Sequence, residues 1–283
     1  MQTLSDFQKK RDILFCFDSD GCVLDAMEVK HRRCHGLCFI REWGLMDHFD
    51  EVMDKWCEIN LYETTRGIHR YKALVIMLER LEGKLLHTPE LETFKTWVNT
   101  TPMLTNASLE EEIANRKNQE LFSKALRWSY ALNREIDKIP MDDKPPYPGV
   151  PEKLAAVQEK VDVGIVSSSN LEAITEEWSH FGLLDHVDCL TSQNDGSKSH
   201  CLAQLLKKGY DKDKVVMVGD AFGDQAAARE NGVWFFPIRV RHEVESWNQL
   251  LEEALPKILK GQYDQAYQQS LDQAFEDSFH AGG

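Results

Sequence analysis

Apolar runs punctuate the chain at five places. Ile13 to Phe17, Val161 to Val166 and Val215 to Val218 are continuous, while Val187 to Leu190 and Val233 to Ile238 are weaker. Short apolar runs without alternation read as parallel strands buried on both faces. Helical patterns separate the last four: Leu171 to Phe181, Ser199 to Lys208, and Asp224 to Asn231, which ends at Gly232 as a C-cap. That alternation predicts an α/β fold built on a doubly wound parallel sheet.

Between Phe17 and Val161 no segment has a strand pattern, and Glu, Leu, Trp and Met predominate. The stretch reads as an all-α insertion. Thr88-Pro89 predicts a helix start, and Ser108 with Glu111 has capping-box spacing ahead of one long helix reaching about Ile139. Five of the nine prolines fall between Pro140 and Pro151 and mark the return of the chain to its first domain. The expected organisation is a discontinuous core, 1–25 and 145–240, an inserted helical domain, 26–144, and a C-terminal helical extension, 241–283. In the extension Tyr263, Tyr267, Leu271, Phe275 and Phe279 recur every four residues as a wrapping apolar stripe. It packs on the core by default and on a second copy by the sharper reading, so monomer and homodimer both stay open.

With 283 residues, 42% of them hydrophobic and 28% charged, the composition is that of an ordinary globular protein. A net charge of −14 repels a polyanion, which argues against nucleic acid as a partner. The polar segment Met1 to Asp12 lacks a signal-peptide core, and the longest purely apolar run, Ala73 to Leu78, is too short to span a membrane. A soluble cytoplasmic protein with no membrane partner is expected. Seven cysteines without a Cys-x-x-Cys pair suit free thiols in a reducing compartment. His31, Cys34, His35 and Cys38 share a helical face, for which core thiols beside surface imidazoles are a commoner explanation than zinc.

Ligands of open α/β sheets bind beyond the carboxyl ends of the strands. Those ends deliver Asp18-Ser19-Asp20-Gly21, Ser167-Ser168-Ser169-Asn170, and Gly219-Asp220 with Asp224 four residues on, and the loop after the Val187 strand delivers Lys198. Carboxylates gathered at one edge need a cation, and a hard divalent ion with oxygen ligands is the usual solution. Magnesium fits Asp18, Asp220 and Asp224 best, and it would offset repulsion between an anionic nucleophile and a phosphate.

Phe15-Cys16-Phe17-Asp18-Ser19-Asp20-Gly21, Ile165-Val166-Ser167, Lys198, and Val216-Met217-Val218-Gly219-Asp220 through Asp224 resemble the four motifs of the haloacid dehalogenase superfamily, in its phosphatase branch. The resemblance implies a Rossmann-type core, a helical cap inserted after motif one, and hinges near Cys22 to Met27 and Lys144 to Gly149. This cap is longer than the compact four-helix version of the sugar-phosphate members. Carried over, Asp18 attacks phosphorus to form an aspartyl-phosphate, and Asp20 protonates the leaving oxygen and later activates water. Ser167 and the Ser168 amide bind phosphoryl oxygens, Asn170 lines the same loop as a substrate-binding residue, and Lys198 pairs with the equatorial charge. Asp18, the Asp20 carbonyl and Asp220 hold Mg2+, while Asp224 binds it through water or orients Lys198. The substrate implied is a small phosphorylated metabolite.

Each element alone has a plainer reading. Asp20-Gly21 favours a turn, a serine after a strand often caps a helix, and Asp220 with Asp224 suits an N-cap and a first-turn acid. Order and placement together carry the assignment. Within the insertion, Thr65 to Arg70 interrupts two helical patterns, with Gly67 between cations. Arg66 and Arg70 fit substrate-specificity residues and equally a helix-to-helix turn with cations paired to acids such as Glu63. Other motifs fail: an EF-hand with Gly21 at its sixth position would begin at Cys16 and end at Met27, no phosphate-loop motif occurs, Gly219 to Gly223 does not continue into a dinucleotide fingerprint, and Ser167 lacks the flanking glycines of a hydrolase elbow. Two alternatives remain, a sugar-phosphate mutase using the same aspartates and a non-catalytic metal- and phosphate-binding module. Carbon-halogen and phosphonate cleavage are disfavoured by the acid at Asp20.

Overall fold

A computed structural model describes residues 2–115 and 120–280. The chain divides into two compact units, 1–26 with 141–283 and 27–140.

The first unit is built on a six-stranded sheet, with strands β1 (Gln2–Thr3), β2 (Leu14–Phe17), β3 (Asp162–Val166), β4 (Cys189–Thr191), β5 (Val215–Gly219) and β6 (Trp234–Pro237). All neighbours are parallel, in the order β1-β4-β3-β2-β5-β6. β2 sits in the middle, flanked by β3 and β5, with Phe17 opposite Ile165 on one side and Val218 on the other. Every residue of β2, β3 and β5 is buried, as continuous apolar runs require when helices cover both faces. Phe15, Phe17, Val163, Ile165, Val216 and Val218 point into one apolar layer, and Leu14, Cys16, Val215 and Met217 into the other, the alternation of a pleated strand. The edge strand Gln2–Thr3 was not expected from the polar N-terminal sequence. It pairs with β4 through its backbone, with both residues exposed, so no apolar pattern announces it.

The helices Leu171–His180, Lys198–Leu206 and Phe222–Asn231 alternate with the strands. The last ends at Gly232, whose φ of 68° is the left-handed conformation expected of a C-cap glycine. The C-terminal helix Gln265–His280 lays its apolar stripe on the same unit: Leu271 and Phe275 are buried, Phe275 packs against Phe235, and Phe222 contacts both Phe275 and Phe279. Tyr263, just ahead of the helix, donates its hydroxyl to the Phe235 carbonyl (2.9 Å). The two passages between the units run side by side, because Asp25 N–H donates to the Pro145 carbonyl and Tyr147 N–H to the Val23 carbonyl. A buried ion pair, Lys144 to Glu177 at 2.7 Å, ties the returning passage to helix Leu171–His180.

The second unit is helical, around a core that includes Trp56, Trp128, Phe39, Phe94 and Phe122. Three local expectations shift. The helix anticipated at Thr88-Pro89 begins at Leu91, since Thr88 N–H is engaged by the Glu82 carboxylate in the preceding turn. The cap anticipated at Ser108 lies three residues earlier, where Thr105 and Ser108 exchange backbone-to-hydroxyl hydrogen bonds at 3.0 Å in each direction. The single long helix is in fact Asn106–Asn115 and Glu120–Ile136, with part of the expected span, residues 116–119, outside the described residues. Ser129 donates to Asn106 at 2.7 Å, which the roughly 1.5 Å rise per residue of a continuous helix forbids. The two helices therefore fold back on each other. All seven cysteines are free and buried. His31 accepts a hydrogen bond from the Trp56 indole, and its ring stacks on His35 at 4.5 Å. No helix among the described residues is long and apolar enough to cross a membrane.

Candidate active site

Asp18 leaves the central strand β2 at its carboxyl end, and its N–H still continues the ladder to Val218. The chain then turns tightly: Gly21 takes φ 83°, its N–H donates to the Leu24 carbonyl, and the Ser19 carbonyl collects the N–H groups of Val23 and Leu24. A glycine is needed there because a side chain strains at that φ. The turn turns the chain back after Asp20 and leaves Asp18 buried at 7% exposure.

Asp220 follows β5, and Asp224 stands in the first turn of helix Phe222–Asn231. One oxygen from each of Asp18, Asp220 and Asp224 lies within 4.8 Å of the others, and all three residues are buried. Gly219 makes this possible. A Cβ at that position would come within 2.3 Å of the Asp224 carboxylate, so only glycine lets Asp224 fold back under the strand end. Asp224 also accepts the Ala221 N–H at 3.1 Å, which satisfies an otherwise orphaned donor at the helix start.

Lys198 brings the opposite charge. It is the first residue of helix Lys198–Leu206, capped by Ser197, and not part of the preceding loop as its sequence position suggests. Its ammonium lies 2.9 Å from Asp18 and 2.6 Å from Asp224. Burial pushes the Asp18 carboxyl up to about 6, Lys198 opposes that shift, and Asp224 adds to it. Burial likewise raises Asp224 against the pull of Lys198. For Lys198 burial acts to lower the pKa, but the two carboxylates overcome it and hold the amine firmly protonated. Three buried acids against one base leave an excess of negative charge in a confined space of oxygen donors. That donor set fits a hard divalent cation such as magnesium.

Ser167 is buried at the end of β3, where its hydroxyl accepts the Ser169 N–H at 3.2 Å. Ser168 is exposed, and Asn170 caps helix Leu171–His180 by accepting the Ala173 N–H at 2.7 Å. The side-chain oxygen of Asn170 thus has a local structural task. Asp20 lies at the turn, half-buried, and is not among the three clustered carboxylates. Arg66 and Arg70 belong to the helical unit, on either side of Gly67 with its φ of 70°. Arg66 donates to the Leu61 carbonyl at 3.0 Å. Arg70 opens helix Arg70–Leu81 and donates to Ser129 and Asn133. The acid suggested as their partner, Glu63, is bound by Arg80 instead. The quartet His31, Cys34, His35 and Cys38 does not converge as a ligand set. Among the described residues only Asp18, Asp220 and Asp224 do so.

Sequence reasoning missed the residues that hold the acidic turn. Ser19 is buried and accepts the Trp178 indole N–H at 2.9 Å, and the Cys22 carbonyl accepts that of Trp247 at 2.8 Å. No motif in the sequence singles out either tryptophan. The one available signal was that a buried indole needs an acceptor.

Comparison with known proteins gives one family. Residues 71–238 match the model of the haloacid dehalogenase-like hydrolases, a span that begins after Asp18 and Asp20. No curated protein matches the chain significantly. Among solved structures, one from Lactobacillus delbrueckii subsp. bulgaricus, assigned as a phosphoglycolate phosphatase, superposes with a TM-score of 0.52 at 16% identity, covering 80% of this chain and 85% of that one. A haloacid dehalogenase-like family hydrolase from Streptococcus pneumoniae has a TM-score of 0.49 at 12% identity, covering 88% of this chain and 97% of its own. The first of these likenesses speaks to the fold.

Proposed function

The chain belongs to the haloacid dehalogenase-like hydrolases, and from that premise we propose that it is a magnesium-dependent phosphatase cleaving phosphate monoesters of a small metabolite through an aspartyl-phosphate on Asp18. The observation that carries this reading is the Lys198 ammonium bridging Asp18 and Asp224 within the buried trio of carboxylates at the sheet's carboxyl edge.

Asp18 is the nucleophile. Its carboxylate attacks phosphorus in line with the leaving oxygen, and burial leaves it little hydration to shed. Lys198 holds that carboxylate in one orientation, keeps its proton throughout, and faces the charge that spreads over the equatorial phosphoryl oxygens. Asp224 fixes Lys198 in turn. The Ser167 hydroxyl and the Ser168 N–H, at the neighbouring strand end, supply hydrogen bonds to the same oxygens. Asp20 gives its proton to the departing alkoxide and then takes one from the water that attacks phosphorus of the Asp18 acyl phosphate, breaking its P–O bond to Asp18 and releasing inorganic phosphate, so the enzyme returns to its starting state. Asp18, Asp220, Asp224 and the Asp20 carbonyl would hold the magnesium, directly or through water. When bound, it supplies positive charge against which an anionic nucleophile and an anionic substrate can approach. Arg66 and Arg70, in the helical unit 27–140, are the candidate specificity cations of this reading.

The test is phosphate release from p-nitrophenyl phosphate in the presence of magnesium. Asp18→Asn is expected to lower turnover by at least about 10^3-fold while leaving the protein folded, because nothing else supplies the covalent nucleophile. Undiminished turnover in that variant would overturn the mechanism. Transfer of the phosphoryl group to an added hexose phosphate, in place of phosphate release, would replace hydrolysis by mutase chemistry.

A further inference from the structure

Trp247 lies beyond the family-matched residues 71–238, in helix Glu243–Gln249, and is fully buried. Its indole stacks on Phe17, with ring centroids 5.3 Å apart and planes 3° from parallel. Its N–H donates to the Cys22 carbonyl at 2.8 Å. Phe17 immediately precedes Asp18, and Cys22 immediately follows Gly21. One side chain therefore touches both ends of the turn that carries Asp18 and Asp20. Inside the turn, the Trp178 indole fixes the Ser19 hydroxyl, and the Cys22 thiol lies 3.5 Å from the Val218 carbonyl as a donor to the next strand.

A core tryptophan that only filled volume could place its N–H against any spare acceptor. This one is spent on the loop bearing the two reacting acids. Holding such groups matters: displacing a reacting group by about 1 Å costs on the order of 10^2-fold in rate. We infer that Trp247 is a positioning residue, clamping the Asp18–Gly21 turn through Phe17 and Cys22, and that the segment after residue 238 serves the reaction by this route. The inference rests on the function proposed above.

The experiment compares Trp247→Phe, which keeps an aromatic ring over Phe17 but deletes the N–H, with Trp234→Phe. Trp234 also spends its indole N–H on a carbonyl, that of Asp213, away from the turn. In full-length protein, Trp247→Phe is expected to speed amide exchange at Gly21, Val23 and Leu24 by about 10-fold, with exchange at Val216 to Val218 unchanged. It is also expected to lower kcat on p-nitrophenyl phosphate by a similar factor, with KM within about twofold of wild type. Trp234→Phe should change neither. Wild-type exchange at the turn, or faster exchange with kcat unchanged, overturns the inference, as does an equal response in Trp234→Phe. Should Trp247→Phe fail to fold, the second probe is Phe17→Leu, which removes the ring that Trp247 stacks on and must loosen the same three amides if Trp247 holds the turn; wild-type exchange there overturns the inference. A wild-type protein without phosphatase activity would overturn the function instead, and the exchange data would still decide whether Trp247 holds the turn.

Discussion

Lys198 touches two carboxylates, and a third stands beside them, so this cluster of described residues holds more acids than bases. The imbalance has a pH signature. Asp18, pushed up to about 6 mainly by burial, carries a proton over much of the mildly acidic range, and a metal ligand must lose it. Because the folded value lies above the ordinary 3.8, protonation is favoured below about 6 and competes with the cation. Magnesium affinity should therefore climb as pH rises from 5 through about 6, by up to about tenfold per unit, and level off above. Calorimetric titration of the metal-depleted protein at several pH values checks this, and Asp18→Asn should flatten the climb. At this scale the sequence was informative about chemistry: the residue types and their order gave Asp18, Lys198, Asp220 and Asp224. It was silent on support. That Gly219 must lack a Cβ so that Asp224 can fold back is a steric fact of two strand-end residues meeting. That Ser19 answers Trp178 depends on residues 159 positions apart.

Elements were legible where a pattern was long or a stop signal strong, as at β2, β3 and β5 and at the Gly232 cap. They were misread where one local signal had competitors. Thr105 and Ser108 both offer cap hydroxyls, and the chain uses Thr105 as the entry and Ser108 as its return partner. Helices Asn106–Asn115 and Glu120–Ile136 share a helical composition that does not reveal their reversal, which the Ser129 to Asn106 bond fixes. Lys144 and Glu177 show a different dependence. Each reads as a surface charge in the sequence, yet both are buried and paired at 2.7 Å. Removing one partner breaks a buried pair. Lys144→Met should thus cost about 3–5 kcal/mol of stability, and adding Glu177→Leu should recover much of it. Chemical denaturation of the two single variants and the double variant measures this, and an additive loss in the double would count against the pairing.

At the scale of the molecule, the C-terminal segment is part of the first unit's interior. Trp247, Leu250, Leu255, Leu271 and Phe275 are buried in the layers that cover the sheet. At about 1.5–3 kcal/mol for each fully buried large side chain, their combined loss is as large as a domain's whole net stability of about 5–15 kcal/mol. A chain truncated after residue 242 is expected to lose the cooperative thermal transition of the sheet unit, which near-ultraviolet circular dichroism would show. Retention of that transition would make the segment an appendage. The sequence by itself determined the α/β class, the helical insertion, and the identity of the acids and the lysine at the strand ends. Those follow from local periodicity and from the topology that brings the carboxyl ends of parallel strands to one edge. Only the tertiary structure decided which oxygen faces which nitrogen, what Asp224 does with each of its oxygens, and that Trp178 and Trp247 hold the Asp18 turn. Such contacts join residues far apart in the chain, and close packing leaves them no signature in the local pattern of apolar and polar positions.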